Sequence, residues 1–364
     1  MFVKNILDNF LMLKYFELGS VKIKNIKNIS LKIKTTLNTK NLLEALLEAL
    51  TDQKKVIVLC GPTCTGKTKL SLILAETLNT NIVSVDSMQA YNKMDIGTDK
   101  YNTDELGIKQ FMVNLYNPDY NMTVVEFRDR CREIIEKEFF DKKKVPILVG
   151  GSGLYIRAVV DDLNFTNQNI STLSVRQEIL KEIENLGSEK VYEKLKKIDP
   201  TYAYKISKND IRRIVRALEV YQITGNTFSS FQNSWNERKS IYNCIFIGLS
   251  KTKDKLNECI EKRVEKMLNL GLIDEVKKLI EEGYENCFSL SQAVGYKEVI
   301  KYLKGYVTLD ECKDEIIKNT KKLAKKQFTW FKADPRINWI QVDNYDNIYD
   351  LINDVFNIIS VNLN

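Results

Sequence analysis

The eight residues Gly61-Pro62-Thr63-Cys64-Thr65-Gly66-Lys67-Thr68 carry the sharpest chemical signal in this sequence, a complete G-x-x-x-x-G-K-T. Glycines let backbone N–H groups face an anion, Lys67 adds a point charge, and the Thr68 hydroxyl is of the kind that ligates magnesium. Such a loop works only between a strand and a helix. Val56-Ile57-Val58-Leu59-Cys60 supplies the apolar, β-branched run before it, and Leu70, Leu72, Ile73, Leu74 and Ala75 supply the helical pattern after it. Binding of a di- or triphosphate is therefore expected at residues 61–68.

Two further strand ends point toward the same crevice. Asn81-Ile82-Val83-Ser84-Val85 runs into Asp86-Ser87-Met88-Gln89. In a parallel sheet the carboxyl ends of strands line the ligand cleft, so Asp86 reads as a magnesium ligand or a general base; its bland alternative is a cap for the following helix. Val145-Pro146-Ile147-Leu148-Val149 runs into Gly150-Gly151-Ser152-Gly153-Leu154-Tyr155, where glycines permit close approach of a ligand and Ser152 offers a hydroxyl. No acid closes this strand, which weighs against ATP hydrolysis. Further on, Asn209-Asp210 caps a helix bearing Arg212, Arg213 and Arg216, three guanidinium groups suited to phosphate contacts or to surface ion pairs.

Composition narrows the chemistry. The chain of 364 residues contains no histidine, which excludes Ser-His-Asp and Cys-His nucleophilic sets and His-ligated metals, and leaves proton transfer to carboxylate, Lys, Tyr or Cys. The 44% hydrophobic content supplies a buried core and excludes wholesale disorder. Seven cysteines with no C-x-x-C pair fit a reduced, cytoplasmic setting. No run of 18 apolar residues and no secretory pattern occur, so neither a membrane span nor a secreted protein is expected.

Lys plus Arg number 55 against 48 Asp plus Glu, a net charge of +7 that is concentrated rather than spread. Lys22 to Lys40 holds six lysines and no acid; Lys318 to Lys332 holds six more, interleaved with Phe328, Trp330 and Phe331, a footprint compatible with nucleic acid or with a solvated helix face.

The elements that must position these residues suggest an α/β fold: a P-loop parallel-sheet core with a helical insertion and a helical C-terminal part. The expected division is an extension over 1–54, with a strand-like Val21-Lys22-Ile23-Lys24 and a short amphipathic helix Asn41 to Leu50; a P-loop core over 55–165; a helical insertion over 166–208; core completion and further helices over 209–345; and a tail over 346–364. Glu126 to Phe140, Asp254 to Leu270 and Asp274 to Glu282 read as helices.

Taken together, GPTCTGKT, DSMQAY with MDIGTDK, VPILVGGSGLYI, KNDIRRIVRALEVYQITG, RVEKMLNLGLIDEV, SLSQAVGYKEVI and AKKQFTWF resemble, in order and over roughly residues 55–340, the tRNA dimethylallyltransferases. That resemblance implies transfer of a dimethylallyl group from dimethylallyl diphosphate to N6 of adenosine 37, beside the anticodon of tRNAs reading codons that begin with U. It implies a channel entered from one end by the donor and from the other by a flipped-out base, with Mg2+ as cofactor and the anticodon stem-loop as partner of a monomeric, cytoplasmic enzyme. By matching position it assigns catalysis to Asp86 as base, to Thr68 as magnesium or diphosphate ligand, and to Arg263. Diphosphate contacts fall to Gly61, Pro62, Thr63, Cys64, Thr65, Gly66, Lys67 and Thr68. Contacts with tRNA fall to Asp86, Ser87, Met88, Gln89, Ser152, Arg176, Arg212, Arg213, Ile214, Val215 and Arg216.

The chain departs from that pattern in places. Ser152 replaces the usual Thr, Lys253 and Cys259 stand where arginines are common, and Gly107-Ile108-Lys109-Gln110-Phe111-Met112 replaces a Gly-Ile-Pro-His-His-Leu segment. A small-molecule kinase on the same core accounts for the loop but not for the later blocks. A tRNA-binding protein that keeps the scaffold but has lost activity through these substitutions would bind tRNA in a salt-sensitive way and form no product.

Overall fold

The alternation of Val56-Ile57-Val58-Leu59-Cys60 decides the layering of the molecule. Ile57 and Leu59 enter one apolar cluster, while Val56, Val58 and Cys60 enter another on the opposite face of the sheet. All five are fully buried, as a central parallel strand requires. This computed structural model describes residues 40–101, 103, 106–163, 165, 173–232, 235 and 237–363, with Ile26 and Ser30. The strand-like segment at Val21 to Lys24 and nearly all of the Lys22 to Lys40 run lie outside the described residues.

Among the described residues six strands form one sheet, all pairs parallel: β1 (Lys55–Cys60), β2 (Ile82–Ser84), β3 (Gln110–Phe111), β4 (Ile147–Val149), β5 (Asn243–Ser250) and β6 (Asn338–Gln341), in the order β3-β2-β4-β1-β5-β6. β1 sits between β4 and β5, with Ile57 opposite both Ile147 and Ile245. Its chain continuation, β2, lies beyond β4, so the end of β1 is the topological switch point where ligands bind in such sheets.

One face of the sheet is covered by helices Lys40–Asp52, Lys67–Thr77 and Ile348–Val361. The residues 346–364 that read as a tail are therefore mostly a packed helix: Leu351, Ile352, Val355, Phe356 and Ile359 recur at helical spacing and are buried against the sheet, and Asn347 caps the start through Tyr349 N (2.9 Å) and Asp350 N (3.0 Å). The other face is covered by Val124–Ile134, a π-helical continuation Ile135–Phe140, and Gly153–Val160. A third cluster joins Lys253–Asn269, Leu272–Glu281, Tyr296–Leu303 and Leu309–Lys332 through Ile260, Val264, Val276, Tyr296 and Ile316.

The chain divides into two compact units, Met1–Val160 with Tyr242–Asn364, and Asp161–Ile241. Among its described residues the named elements of the second are all helices, with one antiparallel bridge between Asp161 and Ser240, and it carries its own core of Ile179, Val191, Leu195, Ile214, Val215 and Leu218. Helix Ile211–Thr224, expected with the core completion, belongs instead to this unit, because its apolar face is the one that Leu173–Leu186 and Ser188–Ile198 bury. Among the described residues no helix is long and apolar enough to cross a membrane.

Candidate active site

Within the first unit, the carboxyl ends of β1, β2 and β4 open onto a cavity of about 360 Å³. Its wall collects Cys64, Lys67 and Thr68 from the loop and helix after β1, Asp86 and Gln89 after β2, and Gly150 and Gly151 after β4. Arg263 and Lys266 reach it from Lys253–Asn269, and Gln327 from Leu309–Lys332.

The loop is shaped by its own residues before any ligand is considered. Gly61 has φ 130°, and a Cβ there would stand 2.3 Å from the Leu249 carbonyl oxygen of β5, so only glycine lets β5 pass behind the loop. The Pro62 carbonyl accepts from both Lys67 Nζ (2.6 Å) and the buried Thr65 hydroxyl (2.9 Å). Thr63 is tied from two helices: its N–H donates to Gln327 Oε1 (2.9 Å), and its hydroxyl accepts from Arg263 Nη1 (2.9 Å). The Arg263 guanidinium in turn pairs with Asp99 at 3.2 Å.

The backbone shortly before Asp99 is gathered by a carboxylate from another helix. Glu275 accepts from the backbone N–H groups of Asp95 (3.0 Å), Ile96 (2.8 Å) and Gly97 (3.2 Å), and from the Tyr296 hydroxyl (2.6 Å). Burial and the Glu275 charge push the Tyr296 hydroxyl well above its ordinary pKa, so it stays a donor. Lys100 staples the same loop by donating to Tyr91 O (2.6 Å), Asp95 Oδ1 (2.8 Å) and Asn114 Oδ1 (2.5 Å).

Charge at the cavity is set by desolvation. Burial lowers the Lys67 ammonium from 10.5 to about 8, with Cys64 opposing the shift and Arg263 adding to it. A bound polyanion would reverse the balance and restore the full charge. Asp86, on the same cavity wall, is half-buried, and its Oδ1 accepts from Met88 N at 2.9 Å, so the local turn and the cavity position coexist in one carboxylate. Gln89 is oriented by the Ser84 hydroxyl (2.6 Å) and by the Thr98 carbonyl (3.0 Å).

The expected residues separate accordingly. Thr63, Cys64, Gly66, Lys67, Thr68, Asp86, Gln89 and Arg263 share the cavity wall; Gly61, Pro62 and Thr65 shape the loop from behind. Met88 packs against the helical cluster, and Ser152 lies just before Gly153–Val160, its backbone carbonyl accepting from Ile156 N at 3.0 Å. Close approach by a ligand is not the main use of the glycine run: Cβ atoms at Gly150, Gly151 and Gly153 would meet Val85 O at 2.0 Å, Gln327 Nε2 at 2.4 Å and the Trp330 ring at 2.1 Å, so protein already fills that space.

In the second unit, Arg212 and Arg213 are exposed near the start of Ile211–Thr224. Ile214 and Val215 are corrected as contact residues: both side chains are buried in that unit's core, where helical periodicity turns them away from solvent. Arg216 (2.8 Å) and Arg176 (3.7 Å) both engage Glu219, which is only 2% exposed, so ion pairing fixes them. Gln327, Asp99 and Glu275 were not singled out from the sequence. Each lies inside a motif block, but no spacing rule shows that a glutamine 264 positions away closes on Thr63.

Strand, glycine-bearing loop and helix at the switch point of a parallel sheet define a P-loop fold. The chain matches the IPP transferase family over residues 89–334. It is 41% identical over 305 residues to a tRNA dimethylallyltransferase of Caldanaerobacter subterraneus, covering 83% of this chain and 96% of that protein, and 39% identical over 300 residues to one of Alkaliphilus oremlandii, covering 82% and 95%. Its structure is similar to the full-length tRNA isopentenylpyrophosphate transferase of Bacillus halodurans (TM-score 0.64, 36% identity, 85% of this chain and 97% of that one) and to a eukaryotic dimethylallyltransferase acting on tRNA (TM-score 0.67, 28% identity, 84% and 80%). The chain belongs to the tRNA dimethylallyltransferase family, enzymes that transfer a prenyl group to tRNA.

Two measurements test the geometry. Glu275→Ala should lower unfolding free energy by about 1–3 kcal/mol, because three N–H groups and a hydroxyl lose their acceptor, and should weaken inorganic diphosphate binding through Asp99 and Arg263. Glu282→Ala, which removes the exposed ion pair with Lys93, should leave both within error. Only the ammonium form of Lys67 attracts an anion, and with its pKa near 8 that form is lost as pH rises from 7 to 9. Diphosphate affinity of the native protein should therefore fall over this range relative to Lys67→Arg, whose guanidinium keeps its proton and carries the same titration of the ligand. Parallel curves would remove Lys67 from that role.

Proposed function

We propose that the cavity binds dimethylallyl diphosphate and that the prenyl group passes to N6 of adenosine 37, next to the anticodon of tRNAs reading codons that begin with U. The observation that carries this reading is the placement of Lys67, Thr68 and Arg263 with Asp86 on the wall of one cavity. The cations suit a departing diphosphate, and the carboxylate that shares their wall suits a proton acceptor. The nitrogen lone pair attacks C1 of the allyl chain, the C1–O bond breaks, and diphosphate leaves with the electron pair. The N6 proton passes to Asp86; with Oδ1 engaged by Met88 N–H, Oδ2 is the receiving oxygen. Lys67, Arg263 and the loop amides stabilise charge that grows on the leaving group, the term on which preorganised sites act most strongly.

Magnesium fits this donor set in one manner only. Among the described residues no group of three or more Asp, Glu or Cys is placed to hold a metal, so a dedicated protein cage is not supported. The Thr68 hydroxyl and the Asp86 and Asp99 carboxylates face the same cavity, which suits an ion carried chiefly by the diphosphate oxygens and water, with Thr68 as its protein ligand. When bound, it would neutralise the leaving group's charge.

The exposed Arg212 and Arg213 are proposed to meet tRNA phosphates, with Arg176 and Arg216 held ready by Glu219. We place the enzyme as a monomer in the cytoplasm with its tRNA. A kinase reading has no support in the order of the later blocks.

Incubation with dimethylallyl diphosphate, Mg2+ and unmodified tRNA should yield N6-prenylated adenosine on nucleoside analysis. Asp86→Asn should keep donor and tRNA affinity while turnover falls by about 10²–10⁴-fold, the usual worth of a positioned base. Full turnover in that variant would eliminate Asp86 as the base, and no product from any anticodon-adjacent adenosine would eliminate the reaction.

A further inference from the structure

Of the seven cysteines, Cys64 and Cys259 line the cavity that also holds Lys67 and Arg263. Each sulfur has cationic company. Cys64 lies within electrostatic reach of the Lys67 ammonium and neighbours Thr63, on which Arg263 closes. Cys259 Sγ accepts from Lys251 Nζ at 3.0 Å. The remaining five differ in place: Cys60, Cys131 and Cys312 are buried, and Cys244 and Cys287 are half-buried away from the cavity wall. Burial pushes the Cys60 thiol up to about 12 and the Cys312 thiol to about 11, which keeps both unreactive.

Both sulfurs are half-buried on the wall of that cavity, so any group added to either takes up space that an anion there would occupy. We infer that Cys64 and Cys259 form a thiol modification site inside the donor cavity, whose occupation by a cysteine-directed electrophile or by hydrogen peroxide excludes the diphosphate. This rests on reading the cavity as the diphosphate site. With a maleimide, the sulfur adds to one alkene carbon, the other takes a proton, and nothing leaves. With peroxide, the thiolate sulfur attacks one oxygen, the O–O bond breaks, and the second oxygen departs as hydroxide. That hydroxide takes the sulfenic proton to give sulfenate and water; sulfur is oxidised and peroxide reduced. Either product places bulk where the donor binds, and sulfenate adds like charge. A thiol reductant reverses the sulfenate but not the maleimide adduct.

The test begins with calorimetric binding of inorganic diphosphate to the untreated full chain; no binding there would overturn the diphosphate reading itself. The folded protein is then labelled with N-ethylmaleimide and each cysteine followed by peptide mass spectrometry, with and without saturating diphosphate. Labelling should appear at Cys64 and Cys259 and not at Cys60, Cys131 or Cys312, and diphosphate should slow it at the first two by about tenfold or more while leaving Cys287 unchanged. Protein modified at Cys64 by maleimide, or by peroxide before reduction, should lose diphosphate affinity by about tenfold or more. The Cys64→Ser, Cys259→Ser double variant should keep through either treatment whatever affinity it has. Diphosphate that binds but protects neither cysteine, or fully modified protein that binds as well as untreated protein, overturns the inference while leaving the cavity's assignment standing.

Discussion

Four cationic side chains, Lys67, Lys69, Arg263 and Lys266, face one cavity, and keeping that charge together is the constraint on which the rest of the structure depends. Like charges in a partly desolvated space repel, and burial, with Arg263 adding to it, brings Lys67 down to about 8. The fold meets this with fixed partners. Arg263 is held between the Thr63 hydroxyl and Asp99, Lys67 is turned onto the Pro62 carbonyl, and Thr63 N–H is held by Gln327. Helices Lys253–Asn269 and Leu309–Lys332 thus meet on a single loop residue.

Behind that node stands a second layer. Glu275 gathers three consecutive backbone N–H groups and a tyrosine hydroxyl, and through the chain to Asp99 it sets the counter-charge that Arg263 sees. The second unit repeats the device at Glu219, a buried carboxylate that holds Arg176 and Arg216. In both places a carboxylate fixes the direction of an arginine, either directly or through a loop, and a fixed guanidinium loses less freedom when it meets a phosphate.

The cradle and its flanking elements are legible because their residues are consecutive and their periodicities strong: β1, Lys67–Thr77 and the capped helix after Asp210 follow from local pattern. Asp86 is legible because strand ends line the cleft. What escapes local pattern is long-range closure. Gln327 on Thr63 and Glu275 on the loop at Asp95 to Gly97 join residues well over a hundred positions apart. Ile214 and Val215 sit within an arginine-rich block, yet helical rotation buries them between exposed and paired arginines. The glycines after β4 read as room for a ligand, while Val85, Gln327 and Trp330 occupy that room. The absent histidines are the reverse case. Gln110 and Phe111 form the edge strand β3 and Gln110 reaches the cavity wall, while Lys67, Thr68, Asp86 and Arg263 stand on that wall without them.

A cradle that holds a leaving diphosphate differs from one that splits a nucleotide in what it releases. The most direct measurement is phosphate accounting during turnover with dimethylallyl diphosphate, Mg2+ and unmodified tRNA. Diphosphate should appear intact and in equal amount to prenylated adenosine, with no orthophosphate from the donor and none from added ATP. Orthophosphate formed in step with turnover, or diphosphate released without tRNA prenylation, would contradict the account.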